Sequence, residues 1–320
     1  MAVISINIDF KSYTSHPQLV DALSPAFSAV LGDTVDFQVH LNTYYKMLYS
    51  DFLVLVTTTL VHLRKQGIEV TGGIHCNDDD AKTQYASRVN FFKLLDLDYV
   101  EKFERKPSEG KFTEIIPYDK DNWDEVSTAI RRVLITNIDV VKDVQQLLNY
   151  CLCEIMDNVV NHSSLPIKYG GNGWCCSQLF KSSNEIRLII CDTGIGIHNA
   201  LTQHPDTKFK TLSEEQSLEL CTVNGVTNGE GMGFGLFATS EFIKENGGEM
   251  IIYSGNHYSH TLEGSLSVCK GNYWQGTFVY LRVNTNIPVD YKRIMPEGHT
   301  LPDDYQFFVD KDKVINDDLW

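Results

Sequence analysis

The sequence is short of most of what would make its chemistry plain. No stretch approaches the roughly 18 consecutive apolar residues that a membrane span needs. A composition of 42% hydrophobic and 22% charged residues is that of a globular chain. Basic residues are scarce: 27 Lys and Arg stand against 42 Asp and Glu, a net charge of −15. Binding a polyanion needs a basic face, so nucleic acid is not an expected partner. Eight cysteines are present without a CxxC pair, which removes the usual metal cages and redox motifs and predicts buried, reduced thiols. The N-terminus has no basic leader, and its Met-Ala-Val-Ile-Ser-Ile-Asn-Ile alternates like a strand, so an intracellular, cytoplasmic protein is expected. Neither glycine cluster completes GxGxxG, because Asn199 and Phe234 stand where the third glycine belongs, and no GxxxxGK[ST] loop occurs. Dinucleotide-fold and P-loop chemistry are thereby excluded.

What is present centres on residues 154–162, Glu-Ile-Met-Asp-Asn-Val-Val-Asn-His, near the end of a long helical pattern from Asp139 to His162. Glu154, Asn158 and His162 fall at i, i+4 and i+8, which stacks a carboxylate, an amide and an imidazole on one face. Val144, Leu148, Cys151, Ile155 and Val159 supply an apolar stripe for packing and leave the polar ladder to face a cleft. Two strands follow, Trp174 to Phe180 and Ile186 to Cys191, and the second runs into Asp192-Thr-Gly194-Ile-Gly196. A long polar segment, 198–230, holds one short helix opened by the capping-box pattern Ser213-Glu-Glu-Gln216. It ends in Gly229-Glu-Gly231-Met-Gly233-Phe-Gly235-Leu236, directly before a helix running through Glu245. Glycines at alternate positions there are unfavourable unless a ligand must approach the backbone, and a helix N-terminus suits phosphate. Strands are predicted at 249–254, 262–269 and 276–283, the last opening with Gly276-Thr277.

Taken in order, these pieces resemble the GHKL, or Bergerat-fold, ATPases. Glu154-x-x-x-Asn158-x-x-x-His162 is similar to the family's N box, Asp192-x-Gly194-x-Gly196 to its first glycine box, Gly231-x-Gly233-x-Gly235-Leu236 to its second, and Thr277 to the adenine-side threonine of its last strand. The Glu, Asn, His ladder looks closest to the anti-sigma-factor serine kinases. The resemblance implies ATP and Mg²⁺ as cofactors. It implies Asp192 and Thr277 at the adenine, Asn158 on the metal, the backbone of 231–235 around the phosphates, and Glu154 as catalytic base. His162 is either a helix-end packing residue or a phosphate-side group. Lys208 and Lys210 either reach the γ-phosphate or are solvated lysines, the second being the ordinary reading.

The N-terminal third reads as strand, helix, strand, a long helix at 48–66, strand, and a helix at 81–96, and over 35–100 it resembles the STAS fold. By register Ser50 or Asp51 takes the place of that family's phosphoacceptor or serves as a helix N-cap. The expected fold class is α/β, with a STAS-like domain at 1–105, a connector at 106–138, a Bergerat α/β sandwich (a mixed sheet with helices on one face) at 139–286, and a tail at 287–320. None of the ten histidines is followed by an acidic residue, which argues against autophosphorylation on histidine. The stretch 286–320 reads as too short for the transducer domain of the gyrase group. The expected function is an Mg-ATP-dependent serine/threonine kinase or slow ATPase acting on a protein partner, with a nucleotide-gated interaction switch as the alternative and homodimerisation left open.

Overall fold

The computed structural model describes residues 1–41, 48–108, 110–135, 140–162, 172–203, 207–227 and 232–295. Three strands, β1 (Val3–Asp9), β2 (Thr34–His40) and β3 (Glu69–His75), form a parallel sheet in the order 1-2-3. Parallel neighbours need crossovers, and helices α1 (His16–Leu23) and α2 (Ser50–Lys65) supply them. Both lie on the face lined by Ile6, Ile8, Val35, Phe37 and Val39. The alternate face carries Ser5, Asn7, Asp36, Gln38 and Thr71 and reaches solvent. The predicted helix at 81–96 is broken in two, α3 (Ala81–Arg88) and α4 (Phe91–Leu94), because Asn90 takes a left-handed conformation with φ 68°.

The second sheet is built from β4 (Ile116–Tyr118), β5 (Gly173–Phe180), β6 (Glu185–Asp192), β7 (Glu249–Leu262) and β8 (Ser265–Asn284), in the order β4-β5-β6-β8-β7. All its described pairs are antiparallel, which corrects the expectation of a mixed sheet. Two hairpins, β5–β6 and β7–β8, make up most of it, and β8 joins them by lying against β6 in the opposite direction. On one face lie α5 (Trp123–Ile135), α6 (Lys142–His162) and, after the short helices α7 (Gly196–Thr202) and α8 (Glu214–Leu220), α9 (Gly235–Asn246); α10 (Tyr291–Ile294) closes the described chain. The single short helix expected in 198–230 is thus two helices, since α7 begins on the glycine turn itself.

The other face of this sheet is also covered by helices, those of the N-terminal unit. Trp174, Cys176, Ile189, Cys191, Tyr253, Trp274, Phe278 and Tyr280 share one apolar core with α1, α2 and the parallel sheet. Sandwiched between two sheets, α2 is buried on every side from Ser50 to Leu60. Its threonines are satisfied locally, Thr57 and Thr59 donating to the carbonyls of Leu53 and Leu55. The molecule is therefore layered as sheet, helices, sheet, helices.

Three strands were expected over 249–283, and the structure has two long ones with a β-bulge between Ser254 and His257. Past the bulge the ribbon doubles back. His260 Nε2 lies 2.8 Å from Glu249 Oε1, and the Tyr258 ring stacks on Tyr253 at 5.3 Å, contacts that an extended strand cannot make with itself. All eight cysteines are free. Among the described residues no helix is long and apolar enough to cross a membrane.

Candidate functional site

A cavity of about 210 Å³ opens between the second sheet and helices α6, α7 and α9. Its floor is β6 and β8, whose alternate residues Ile190, Asp192, Thr277 and Val279 point into it. The opposite residues of the same strands, Cys191, Phe278 and Tyr280, point into the core shared with the N-terminal unit. Helix α6 contributes Glu154, Asp157 and Asn158 to the wall, because its apolar stripe (Val144, Leu148, Cys151, Ile155) is pressed into the core and turns the polar ladder toward the gap. The ladder and the two glycine clusters thus meet, although 38 residues separate Glu154 from Asp192 and 43 separate Asp192 from Gly235.

Asp192 ends β6 and is only 4% exposed. Burial raises its carboxyl to about 7, against the pull of the Gly194 and Thr277 backbone N–H groups that donate to it. The Gly194 bond is 2.7 Å long. Gly276 seals this corner: with φ 87°, a Cβ there would lie 2.5 Å from the Asp192 carbonyl oxygen and 2.6 Å from its Oδ1.

Gly235 begins α9 directly against α6, where a Cβ would stand 2.5 Å from Glu154 Oε2. The glycine therefore lets the helix N-terminus reach the carboxylate face of α6. Tyr150, one turn before Glu154, is hydrogen-bonded to that carboxylate, and burial first, then the Glu154 charge, pushes the Tyr150 phenol upward.

Of the predicted residues, Glu154, Asn158, Asp192, Gly196, Gly233, Gly235, Leu236 and Thr277 all line the one cavity. Gly194 stands behind it as a donor to Asp192. Gly231 and the side chain of His162 lie outside the described residues. Lys208 rests over the Phe209 ring, and neither it nor Lys210 lines the cavity. Ser50 and Asp51 sit far from it on the opposite face of the sheet, 3% and 4% exposed. Ser50 Oγ accepts from Cys176 Sγ, Asp51 pairs with His16 at 3.0 Å, and the N-cap position itself is Tyr49. A phosphate at either residue has no room in this arrangement.

Sequence reasoning missed Ile190 and Val279, which the strand period of two places on the same face as Asp192 and Thr277. It also missed Asp157, Leu201, Cys221 and Val226, the last three carried by the segment read as polar.

The charged residues lining the cavity are Glu154, Asp157 and Asp192, and no Lys or Arg is among the described lining residues. Among the described lining residues, no side-chain cation offsets the charge of an entering polyanion. The donors on α6 are an amide and two carboxylates, hard oxygen ligands of the kind magnesium takes one or two at a time while keeping water and phosphate oxygens for the rest. The arrangement fits Mg²⁺ bound together with a phosphate ligand.

Residues 143–285 match the family model described as Histidine kinase-, DNA gyrase B-, and HSP90-like ATPase. The match covers every site residue named above and supports a GHKL-type, ATP-binding domain over that stretch. No curated protein matches the chain significantly. Within the matched stretch the cavity has an apolar floor closed by one carboxylate, suited to a base. At its other end it has a helix N-terminus beside an amide and a carboxylate, suited to phosphate and its metal.

Proposed function

We propose that the cavity binds Mg-ATP and that the chain is a regulatory protein which uses it to act on a protein partner, by phosphoryl transfer to Ser or Thr or by slow hydrolysis. The observation that carries this reading is the convergence of Glu154, Asn158, Asp192, Gly235 and Thr277 on one cavity. Asp192 accepts from the adenine amino group, Asn158 offers its amide oxygen to the metal, and the α9 N-terminus faces the phosphates. Magnesium, when bound, offsets phosphate charge. Glu154, held by Tyr150 and backed by Gly235, is placed to take a proton from a water or a hydroxyl. The N-terminal unit, 1–105, is read as a STAS-like module, 106–138 as connector and 287–320 as tail, in a cytoplasmic signalling protein that has a protein partner and is open to homodimerisation.

Titration calorimetry with Mg-ATP, Mg-ADP and Mg-GTP tests the first claim: adenine nucleotides release heat and GTP does not. Labelled ATP incubated with the protein and candidate partners tests the second. Label on protein that is lost in Glu154→Ala supports a kinase, label only as free phosphate reduces the activity to hydrolysis, and no turnover removes the catalytic claim.

One feature of the fold favours the alternative, a nucleotide-gated switch with negligible turnover. The strands forming the cavity floor are the strands on which α1 and α2 pack, and Thr58 Oγ1 lies 3.2 Å from the sulfur of Cys191, next to Asp192. If Asn158→Ala abolishes biological activity while Glu154→Ala preserves it, the switch is the function.

A further inference from the structure

Ser254 lies outside the cavity lining, yet the lining residues Ile197 and Thr277 meet at its hydroxyl, together with Gly276. It is the last residue of β7 before the bulge and is 5% exposed. Its Oγ is 2.9 Å from the backbone nitrogen of Ile197, 2.9 Å from the carbonyl oxygen of Gly276 and 3.3 Å from Thr277 Oγ1. Ile197 opens the helix that follows the first glycine turn, and Gly276-Thr277 faces Asp192 across the floor.

The direction of each bond is forced by chemistry. A carbonyl oxygen only accepts, so the one proton of Ser254 goes to Gly276. A backbone N–H only donates, so Ile197 occupies one Ser254 lone pair. With its proton spent, Ser254 can only accept from Thr277, and the Thr277 hydroxyl proton points at Ser254. What Thr277 then turns to the cavity is lone pairs. Beside it stands the Asp192 carboxyl, which is an acceptor once ionised, so above pH 7 the polar corner of the floor is built of acceptors.

Resting on the reading that the cavity holds an adenine nucleotide, we propose that Ser254 is a positioning residue that determines base specificity. By fixing the polarity of Thr277, it makes the floor select a purine carrying an amino donor at position 6 over one carrying a carbonyl there. Without Ser254 the Thr277 hydroxyl is free to rotate and donate, and a 6-carbonyl purine is no longer refused.

The experiment measures binding of Mg-ADP and Mg-IDP, which differ in that one group, to the full chain and to Ser254→Ala, Thr277→Val and Ser240→Ala. Ser240 is a buried serine on α9 whose hydroxyl has no hydrogen-bond partner among the described residues, and it serves as the control for losing a buried oxygen. The full chain is expected to prefer ADP, and Ser254→Ala to lower the ADP-to-IDP preference about tenfold, one hydrogen bond's worth of discrimination. Thr277→Val, isosteric and unable to donate or accept, should lose the preference to a similar degree. In the double variant the two losses should not add. Ser240→Ala should leave the preference unchanged. An unchanged ADP-to-IDP preference in Ser254→Ala, with or without equal weakening of both nucleotides, overturns the specificity role while leaving adenine binding intact. If Ser254→Ala does not fold, Thr277→Val alone decides. Failure of the unmodified chain to bind either nucleotide overturns the underlying reading and this proposal with it.

Discussion

At the scale of single residues, the Asp192 carboxyl matters most, because burial holds it near neutrality. Its folded value of about 7 lies above the ordinary 3.8, so between those values the folded state keeps a proton that the unfolded chain releases. Stability from this group is therefore present in acid and declines as pH rises toward 7. A base amino group donating to Asp192 favours the ionised form and expels that proton. Mg-ADP binding should accordingly release more protons at pH 6 than at pH 8, with affinity weakening as pH falls below 7. Calorimetry in buffers of different ionisation enthalpy measures this directly, and release that does not change with pH would remove Asp192 from the base site. Gly235 makes a second prediction. A methyl group 2.5 Å from Glu154 Oε2 and 2.7 Å from its Cβ forces α9 and α6 apart. Gly235→Ala should destabilise the chain by about 1–3 kcal/mol in urea unfolding and reduce any phosphoryl transfer more than it reduces ADP binding.

At the scale of elements, the segment between the two glycine clusters is joined to β7 through Glu214. Glu214, at the start of α8, accepts from the Asn256 backbone at 3.1 Å and from His257 Nδ1 at 3.2 Å, joining the helix to the β7 bulge. Burial raises this carboxyl, and the Asn256 and His257 donors outweigh it and leave it below 4.5. The anchor is thus fully present above pH 4.5 and is lost as pH falls through the lowered folded value. Glu214→Ala should cost no more than about 1 kcal/mol globally, since solvent screens the site. It should nevertheless speed amide exchange across α8 by several-fold, and unchanged exchange would show that the helix is held elsewhere. That α8 exists at all was legible, because its Ser213–Gln216 capping box is local chemistry and forms as read. The same holds for Glu154 and Asn158 on α6 and for the described glycines flanking the cavity, whose spacing brings them to it. The ribbon was not legible. Residues 255–261 fell between two predicted strands, whereas in the fold β7 runs on through them after a bulge at Gly255 and Asn256, a course set by pairing with β8. Ser254 was invisible for a related reason, its partner Ile197 lying 57 residues off. The antiparallel course of the second sheet likewise depends on where β8 lands, which no local pattern states.

At the scale of the whole molecule, the packing of the N-terminal unit on the second sheet had a signal in the sequence. Runs such as Trp174-Cys-Cys176 and Leu188-Ile-Ile-Cys191 are apolar on both alternate faces, as strands covered on both sides are. The core they enter is shared, so the halves should not unfold separately. Urea unfolding followed by tryptophan fluorescence, through Trp174 and Trp274 in that core, should coincide with unfolding followed by far-UV dichroism. Separated transitions would show that the two units are independent. The His16–Asp51 pair probes the same junction from within, both side chains being about 5% exposed and His16 lying 4.1 Å, ring to ring, from Tyr280. His16→Ala leaves a buried carboxyl without its partner and should destabilise the whole chain by about 3 kcal/mol. Tyr280 is the neighbour of Val279 on the cavity floor, so the loss should also be felt by nucleotide. A hundredfold excess of ligand over its dissociation constant raises stability by about 2.7 kcal/mol when it binds only the folded state. Full recovery of His16→Ala in Mg-ADP, with the affinity of the unmodified chain, would mean that the junction supports the fold and does not reach the site. Weakened ADP binding in a variant shown to be folded would mean that the N-terminal unit acts on the nucleotide through β8.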